Sequence, residues 1–188
     1  MYSRNRNSAV QQARDFLAAR PVYLDTETTG LGGWDEIVEM CILDHDGTPL
    51  VNTLIKPTQR IPLEVVRIHG ITDEMVREAP AWPDVWPQVA TVLRGRQVGI
   101  YNADFDLRMM AQSHRRHSLG WQDPGMQAFC IMRLYADYYG LGRWQSLEMA
   151  GSQCRIRLPN AHRALADTLL ARAVLHHMAG LPVETNNE

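Results

Sequence analysis

The stretch Val22-Tyr23-Leu24-Asp25-Thr26-Glu27-Thr28-Thr29-Gly30-Leu31 governs how this chain is read. Its apolar start, Val22 to Leu24, has the composition of a short buried strand. Side chains alternate along a strand, so Asp25 and Glu27 face the same way. Two close carboxylates repel unless a cation stands between them. With 21 acids in the chain, an acid-x-acid triplet is expected about twice by chance. The pair therefore takes its meaning from its surroundings. A buried strand precedes it, and the turn that follows offers two hydroxyls, a glycine and free backbone amides. Such a turn can approach a chain end closely.

Working outward, Tyr101-Asn102-Ala103-Asp104-Phe105-Asp106 repeats the pattern: a buried strand ends in acids at the entrance to a helix. Asp104, or else Asn102, reads as the N-cap of that helix. Asp106 then lies in the first turn, able to meet Asp25. A third segment, Ala161-His162-Arg163-Ala164-Leu165-Ala166-Asp167, opens the last helix after a stop-and-cap signal at Pro159-Asn160. Asp167 lies within a largely apolar face, where an unpaired acid is costly and a metal partner attractive. On a regular helix His162 and Asp167 are about 140° apart and cannot ligate one ion side by side. If His162 instead precedes the helix, it can lean over the same site as a base. A lone His is more often structural.

Between these segments the chain alternates compact elements. A leading helix is expected over residues 7–20, stopping before Pro21, with strands at 36–44 and 50–56 joined by a hairpin turn at Asp44-His45-Asp46-Gly47. Short helices are expected near 62–68, 73–78 and 83–94. A strand follows at Gln97–Tyr101, then helices over 104–117, 131–138 and 145–151, and a long one over Ala161–Ala179. A meander of strands followed by alternating strands and helices predicts an α/β fold with a mixed β-sheet and helices packed on it.

The chain has 188 residues, of which 45% are hydrophobic, and a formal net charge of −2. That suits one domain with its own core, expected over 1–182 with a polar tail at 183–188. The charge disfavours a nucleic-acid binder that works by charge alone. It does not disfavour an enzyme whose acids hold cations. No apolar run approaches the ~20 residues that span a bilayer, and from the polar start no secretory signal is expected. Cys41, Cys130 and Cys154 are far apart and form no Cys-x-x-Cys, so reduced thiols in a cytoplasmic protein are expected.

Taken together, the three acidic segments resemble the motifs of the DnaQ-like 3′–5′ exonucleases of the DEDDh type, in the ribonuclease H-like superfamily. The resemblance runs from Val22 to about Met178. Leu24 to Leu31 looks like the first motif, Asn102 to Asp106 the second, and His162 to Asp167 the third, where a His five residues before the Asp marks the subtype. Ile68-His69-Gly70-Ile71-Thr72 is similar to a segment that contacts the substrate end. The chain departs from many relatives at Tyr101, where they carry His, and at Phe129-Cys130-Ile131-Met132.

The resemblance implies a ribonuclease H-like mixed sheet with helices on both faces. It also implies metal-dependent release of 5′-mononucleotides from a single-stranded or frayed DNA 3′ end. Two divalent cations, Mg²⁺ or Mn²⁺, would be held by Asp25, Glu27, Asp106 and Asp167, with Asp25 between them and Asp106 acting mainly through water. His162 would be the general base. Thr28, Leu31, His69, Asn102 and Phe105 are the candidates to hold the last nucleotides. The implied partner is nucleic acid with a free 3′ end, with a DNA polymerase as a candidate second partner; no membrane is implied. The alternatives are an exoribonuclease with the same chemistry and a non-catalytic polymerase accessory. Trp82 and Trp86 read as packing residues, and Arg115-Arg116 as a solvated pair.

Overall fold

The structure is a computed structural model that describes residues 2–156 and 162–182, with side chains from Arg6 onward. Helix α1 (Tyr2–Ala18) leads into β1 (Val22–Thr28), β2 (Ile37–Leu43) and β3 (Pro49–Leu54). Three helices follow, α2 (Leu63–His69), α3 (Asp73–Val76) and α4 (Trp82–Leu93). Then come β4 (Gln97–Ile100), α5 (Ala103–Arg116), β5 (Gln127–Cys130), α6 (Ile131–Tyr139), α7 (Leu147–Gln153) and α8 (Ala164–Met178). The strands form one sheet in the order β3-β2-β1-β4-β5. β2 is antiparallel to both its neighbours, and β4 and β5 run parallel to β1. The Asp44–Gly47 hairpin closes as expected, with Asp44 N–H donating to Thr48 O at 2.8 Å and Gly47 at φ 92°.

The sheet is covered on both faces, and the alternation of β1 decides which residue meets which layer. Tyr23 joins Cys41 and Leu43 in a cluster with α1, α6 and α8. Val22 and Leu24 join Met40 and Ile42 in a second cluster with α4 and α5. Trp82 and Trp86 belong to the second cluster and are buried, as expected of packing residues. Asp25 and Glu27 continue the Tyr23 face and so point toward α8. Thr26 continues the Leu24 face and points toward α5.

Four expectations need correction. Strand β5 was not foreseen, because Gln127–Cys130 shows no alternation of its own. It is held by parallel pairing to β4 and by Phe129, whose ring stacks on Phe16 at 3.9 Å between centroids. The leading helix ends two residues early, with Arg20 in a left-handed conformation at φ 51°. The last helix begins at Ala164, so His162 precedes it. Arg116 is only partly solvated: it donates to Thr58 Oγ1 at 2.7 Å and lies 3.6 Å from the buried carboxylate of Glu36. Pro159-Asn160 and the tail at 183–188 lie outside the described residues. Among the described residues, no helix is long and apolar enough to cross a membrane, and the three cysteines are free.

Candidate active site

Carboxylates from three elements converge over the second half of β1. Asp25 and Glu27 come from β1 and Asp167 from the first turn of α8. One oxygen of each lies within 4.8 Å of the others. Asp106 arrives from the opposite layer, in the first turn of α5, and is buried. It lies outside that tight group but close enough to repel Asp25. Its Oδ1 accepts a 2.7 Å hydrogen bond from Thr26 Oγ1. The strand thus supplies two acids to one face and a hydroxyl to the other.

Electrostatics make this arrangement costly without a cation. Burial, then repulsion by Asp106, Glu27 and Asp167, holds the Asp25 carboxyl well above its usual range. Burial, followed by Asp167 and Glu39, pushes Glu27 up to about 8. Asp106 and Asp167 are raised as well, chiefly by burial. The group is made of hard oxygen donors without thiol or imidazole, a donor set that suits a divalent cation. The residues therefore fit a divalent metal centre.

His162 is exposed and stands two residues ahead of α8 in a left-handed conformation, φ 66°. Its backbone N–H donates to Asp167 Oδ1 at 3.4 Å. A non-glycine residue in this region is uncommon, and such strain gathers at functional sites. Position before the helix resolves the geometric problem posed by the five-residue spacing.

The remaining candidates divide in two. Leu31 is 76% exposed on the loop after β1, Asn102 is exposed, and Phe105 is half-buried beneath the Arg108 guanidinium. Thr28 donates to Gly30 O at 2.8 Å and shapes the turn. His69, by contrast, is buried with both ring nitrogens engaged. Nδ1 accepts from Ile71 N–H at 3.0 Å, so Nε2 carries the proton and faces Thr28 O at 3.3 Å. It braces the Thr28 turn. Asp104 is no cap: it lies inside α5, exposed, in an ion pair with Arg133. Asn102 holds the N-cap position but its side chain makes no capping bond. Tyr101 is buried with its hydroxyl donating to Gln145 O at 3.0 Å, a structural tie to the start of α7.

Sequence reading missed Glu39 and Arg163. Glu39 is buried on β2 directly opposite Glu27, and Arg163 grips it with Nη2 to Oε1 at 2.6 Å. The available signal was an acid inside the apolar run Ile37-Val38-Glu39-Met40-Cys41-Ile42-Leu43. Such an acid needs a partner.

The chain is similar to characterised families along most of its length. The exonuclease family model of the RNase T type matches residues 22–175. The uncharacterized exonuclease CP81 of Escherichia phage 186 is 40% identical over 182 residues, covering 90% of this chain and 93% of that protein. The DNA polymerase III epsilon subunit of Pasteurella multocida is 27% identical, and the match spans 83% of this chain and 65% of the subunit. Among solved structures, exonuclease X in complex with 5′-overhanging duplex DNA superposes with a TM-score of 0.62 at 26% identity, covering 86% of this chain and 94% of that one. The nuclease domain of 3′hExo shares the fold with a TM-score of 0.70 at 17% identity, covering 89% and 96%. An acid cluster on a mixed ribonuclease H-like sheet, a family match across that sheet and an exonuclease relative matched over 93% of its length lead to one assignment: this chain belongs to the RNase T exonuclease family and is a DnaQ-like 3′–5′ exonuclease.

Proposed function

We propose that the protein removes nucleotides one at a time from single-stranded or frayed DNA 3′ ends and releases 5′-mononucleotides. Residues 1–182 act as one exonuclease domain in the cytoplasm. The observation that carries this reading is the convergence of Asp25, Glu27 and Asp167 within 4.8 Å, with Asp106 beside Asp25. DNA is taken as the substrate class because exonuclease X was solved on duplex DNA and polymerase subunits stand among the relatives. The same subunits make a DNA polymerase a candidate partner.

Asp25, Glu27, Asp106 and Asp167 would hold two divalent cations, Mg²⁺ or Mn²⁺. When bound, these ions offset the clustered charge, activate water and stabilise the attacking and leaving oxygens of an in-line displacement. His162 takes the proton from the attacking water at a ring nitrogen. The water oxygen bonds to the terminal phosphorus as the bond to the 3′ oxygen of the preceding nucleotide breaks, and that oxygen takes a proton from solvent. Thr28, Leu31, Asn102 and Phe105 hold the chain end, and His69 braces the Thr28 turn. The test uses purified chain with Mg²⁺ on matched single-stranded DNA, single-stranded RNA, mispaired duplex ends and closed single-stranded DNA circles. Stepwise mononucleotide release from linear DNA is expected, with circles left intact. Efficient cutting of circles would overturn the exonucleolytic reading, and faster release from RNA would replace DNA as substrate. Full activity after verified metal removal would overturn the two-ion mechanism.

A further inference from the structure

Glu39 is an acid beside the cluster that the proposed chemistry leaves unused. It stands directly across the β1–β2 ladder from Glu27 and is 4% exposed. Like charges in that position destabilise a sheet, so the arrangement requires compensation. Arg163 Nε lies 3.2 and 3.0 Å from the two Glu39 oxygens, and its Nη2 2.6 Å from Oε1. The backbone N–H of Ala164 donates to Oε2 at 3.0 Å. Both oxygens are therefore committed to donors on the α8 side, which leaves Glu39 a poor cation ligand.

The donors belong to the residues that follow His162. Arg163 occupies the N-cap position of α8 with extended backbone, φ −136° and ψ 135°, directly after the left-handed His162. On the other side, the His162 N–H reaches Asp167. The segment that carries the candidate base is thus pinned to the sheet by Glu39 and to its own helix by Asp167. The pair is only partly buried, with the Arg163 side chain 40% exposed, and a solvent-reached ion pair is weak as a source of stability. Its geometric value is greater: a two-pronged guanidinium contact fixes direction as well as distance.

We propose that the Glu39–Arg163 pair is a positioning clamp that holds His162 over the acid cluster, so that its loss lowers turnover through His162 rather than through the fold or the metal site. This inference depends on the nuclease reading above. The experiment measures single-turnover rate and KM on a 3′-labelled single-stranded oligodeoxynucleotide, Mn²⁺ affinity by calorimetry without substrate, and melting temperature. The variants are Arg163→Met, Arg163→Lys and Glu39→Gln, each alone and with His162→Ala. Displacement of a reacting group by ~1 Å can cost on the order of 10²-fold in rate. Arg163→Met should lower kcat by about that factor, with KM and Mn²⁺ affinity within a few-fold of the parent. Arg163→Lys should restore little, because an ammonium cannot reproduce the fork. In the His162→Ala background the same changes should add almost nothing. Additive losses, a parallel fall in Mn²⁺ affinity, a near-parental Arg163→Met rate or a near-parental His162→Ala rate would each overturn the clamp. If Arg163→Met does not fold, Glu39→Gln, nearly isosteric, carries the same comparison. A parent chain that cleaves no end would remove the nuclease reading and the clamp with it, whereas an active parent with additive variants removes the clamp alone.

Discussion

Thr26 donates its hydroxyl to Asp106 across the top of the sheet, at 2.7 Å, and so joins the strand that supplies two acids to the helix that supplies a third. The same helix turn carries Asp104, which faces solvent and pairs with Arg133. Two acids two residues apart therefore have opposite fates. Asp106→Ala should reduce turnover severely in folded protein. Asp104→Ala removes an exposed ion pair, worth at most about 1 kcal/mol, and should leave turnover near the parental value. Turnover measured beside a folding check decides this, and equal losses or the reverse order would overturn the assignment of Asp106 rather than Asp104 to the chemistry.

The raised carboxyls predict an unusual pH profile for the chelated protein. Glu27 moves from 4.5 toward about 8, chiefly through burial, and Asp25, Asp106 and Asp167 move the same way. A raised acid binds more protons folded than unfolded, so stability is full below the unfolded pKa and falls as pH rises through the folded one. The melting temperature of metal-free protein should therefore drop between about pH 5 and 8. Asp44, lowered to about 2 by its Arg96 and His45 contacts against the opposing effect of burial, loses its contribution only as pH falls below the unfolded range near 3.8, and does not offset this. Saturating Mg²⁺ should raise the melting temperature more at pH 8 than at pH 5. A metal-induced shift independent of pH would contradict the assignment of these acids to the cations.

What the sequence made legible was what local pattern controls. Asp25 and Glu27 share a face because strands alternate, and Asp106 falls in a first turn because a buried strand runs into a helix. The failures lie where distant contacts decide. The short strand β5 exists through pairing with β4, and Gly99 there leaves room for Phe129, whose Cζ would stand 2.8 Å from an added Cβ. Asp104 looks like a cap by residue type, yet the helix already begins at Ala103. Glu39 and Arg163 are 124 residues apart, and no local spacing joins them.

The loop after β1 offers a separate test of substrate holding. Asp35 accepts from Thr29 Oγ1 at 2.9 Å and from the Gly32 N–H at 2.6 Å. Gln112 Nε2 donates to the carbonyls of Gly32 and Asp35. This lattice presents Leu31 and Trp34, which are 76% and 75% exposed. A Cβ on Gly30 would come within 2.6 Å of Asp35 Oδ2, whereas one on Gly33 would meet nothing within 4 Å. Gly30→Ala should raise KM for a strand end by roughly tenfold, about 1.4 kcal/mol, with a smaller change in kcat. Gly33→Ala should leave both near parental values. The opposite ranking would detach this loop from substrate holding.

His162 is the residue whose backbone and side chain make opposing predictions. Its left-handed φ of 66° costs a non-glycine residue roughly 1–2 kcal/mol, while glycine adopts it freely. If His162 serves only to shape the start of α8, His162→Gly should preserve or improve stability and leave turnover close to the parent. If it is the general base, the same variant should be at least as stable yet slower by about 10²–10⁴-fold. His162→Ala should show a comparable rate loss without the backbone relief. Metal affinity should change little in either, because the assigned ligands are the four acids. Asp25→Ala should behave differently, weakening Mn²⁺ binding and rate together. Single-turnover rate, Mn²⁺ affinity and melting temperature on these three variants separate the roles. A His162→Gly rate within a few-fold of the parent would remove the imidazole from the chemistry and leave His162 as a turn residue.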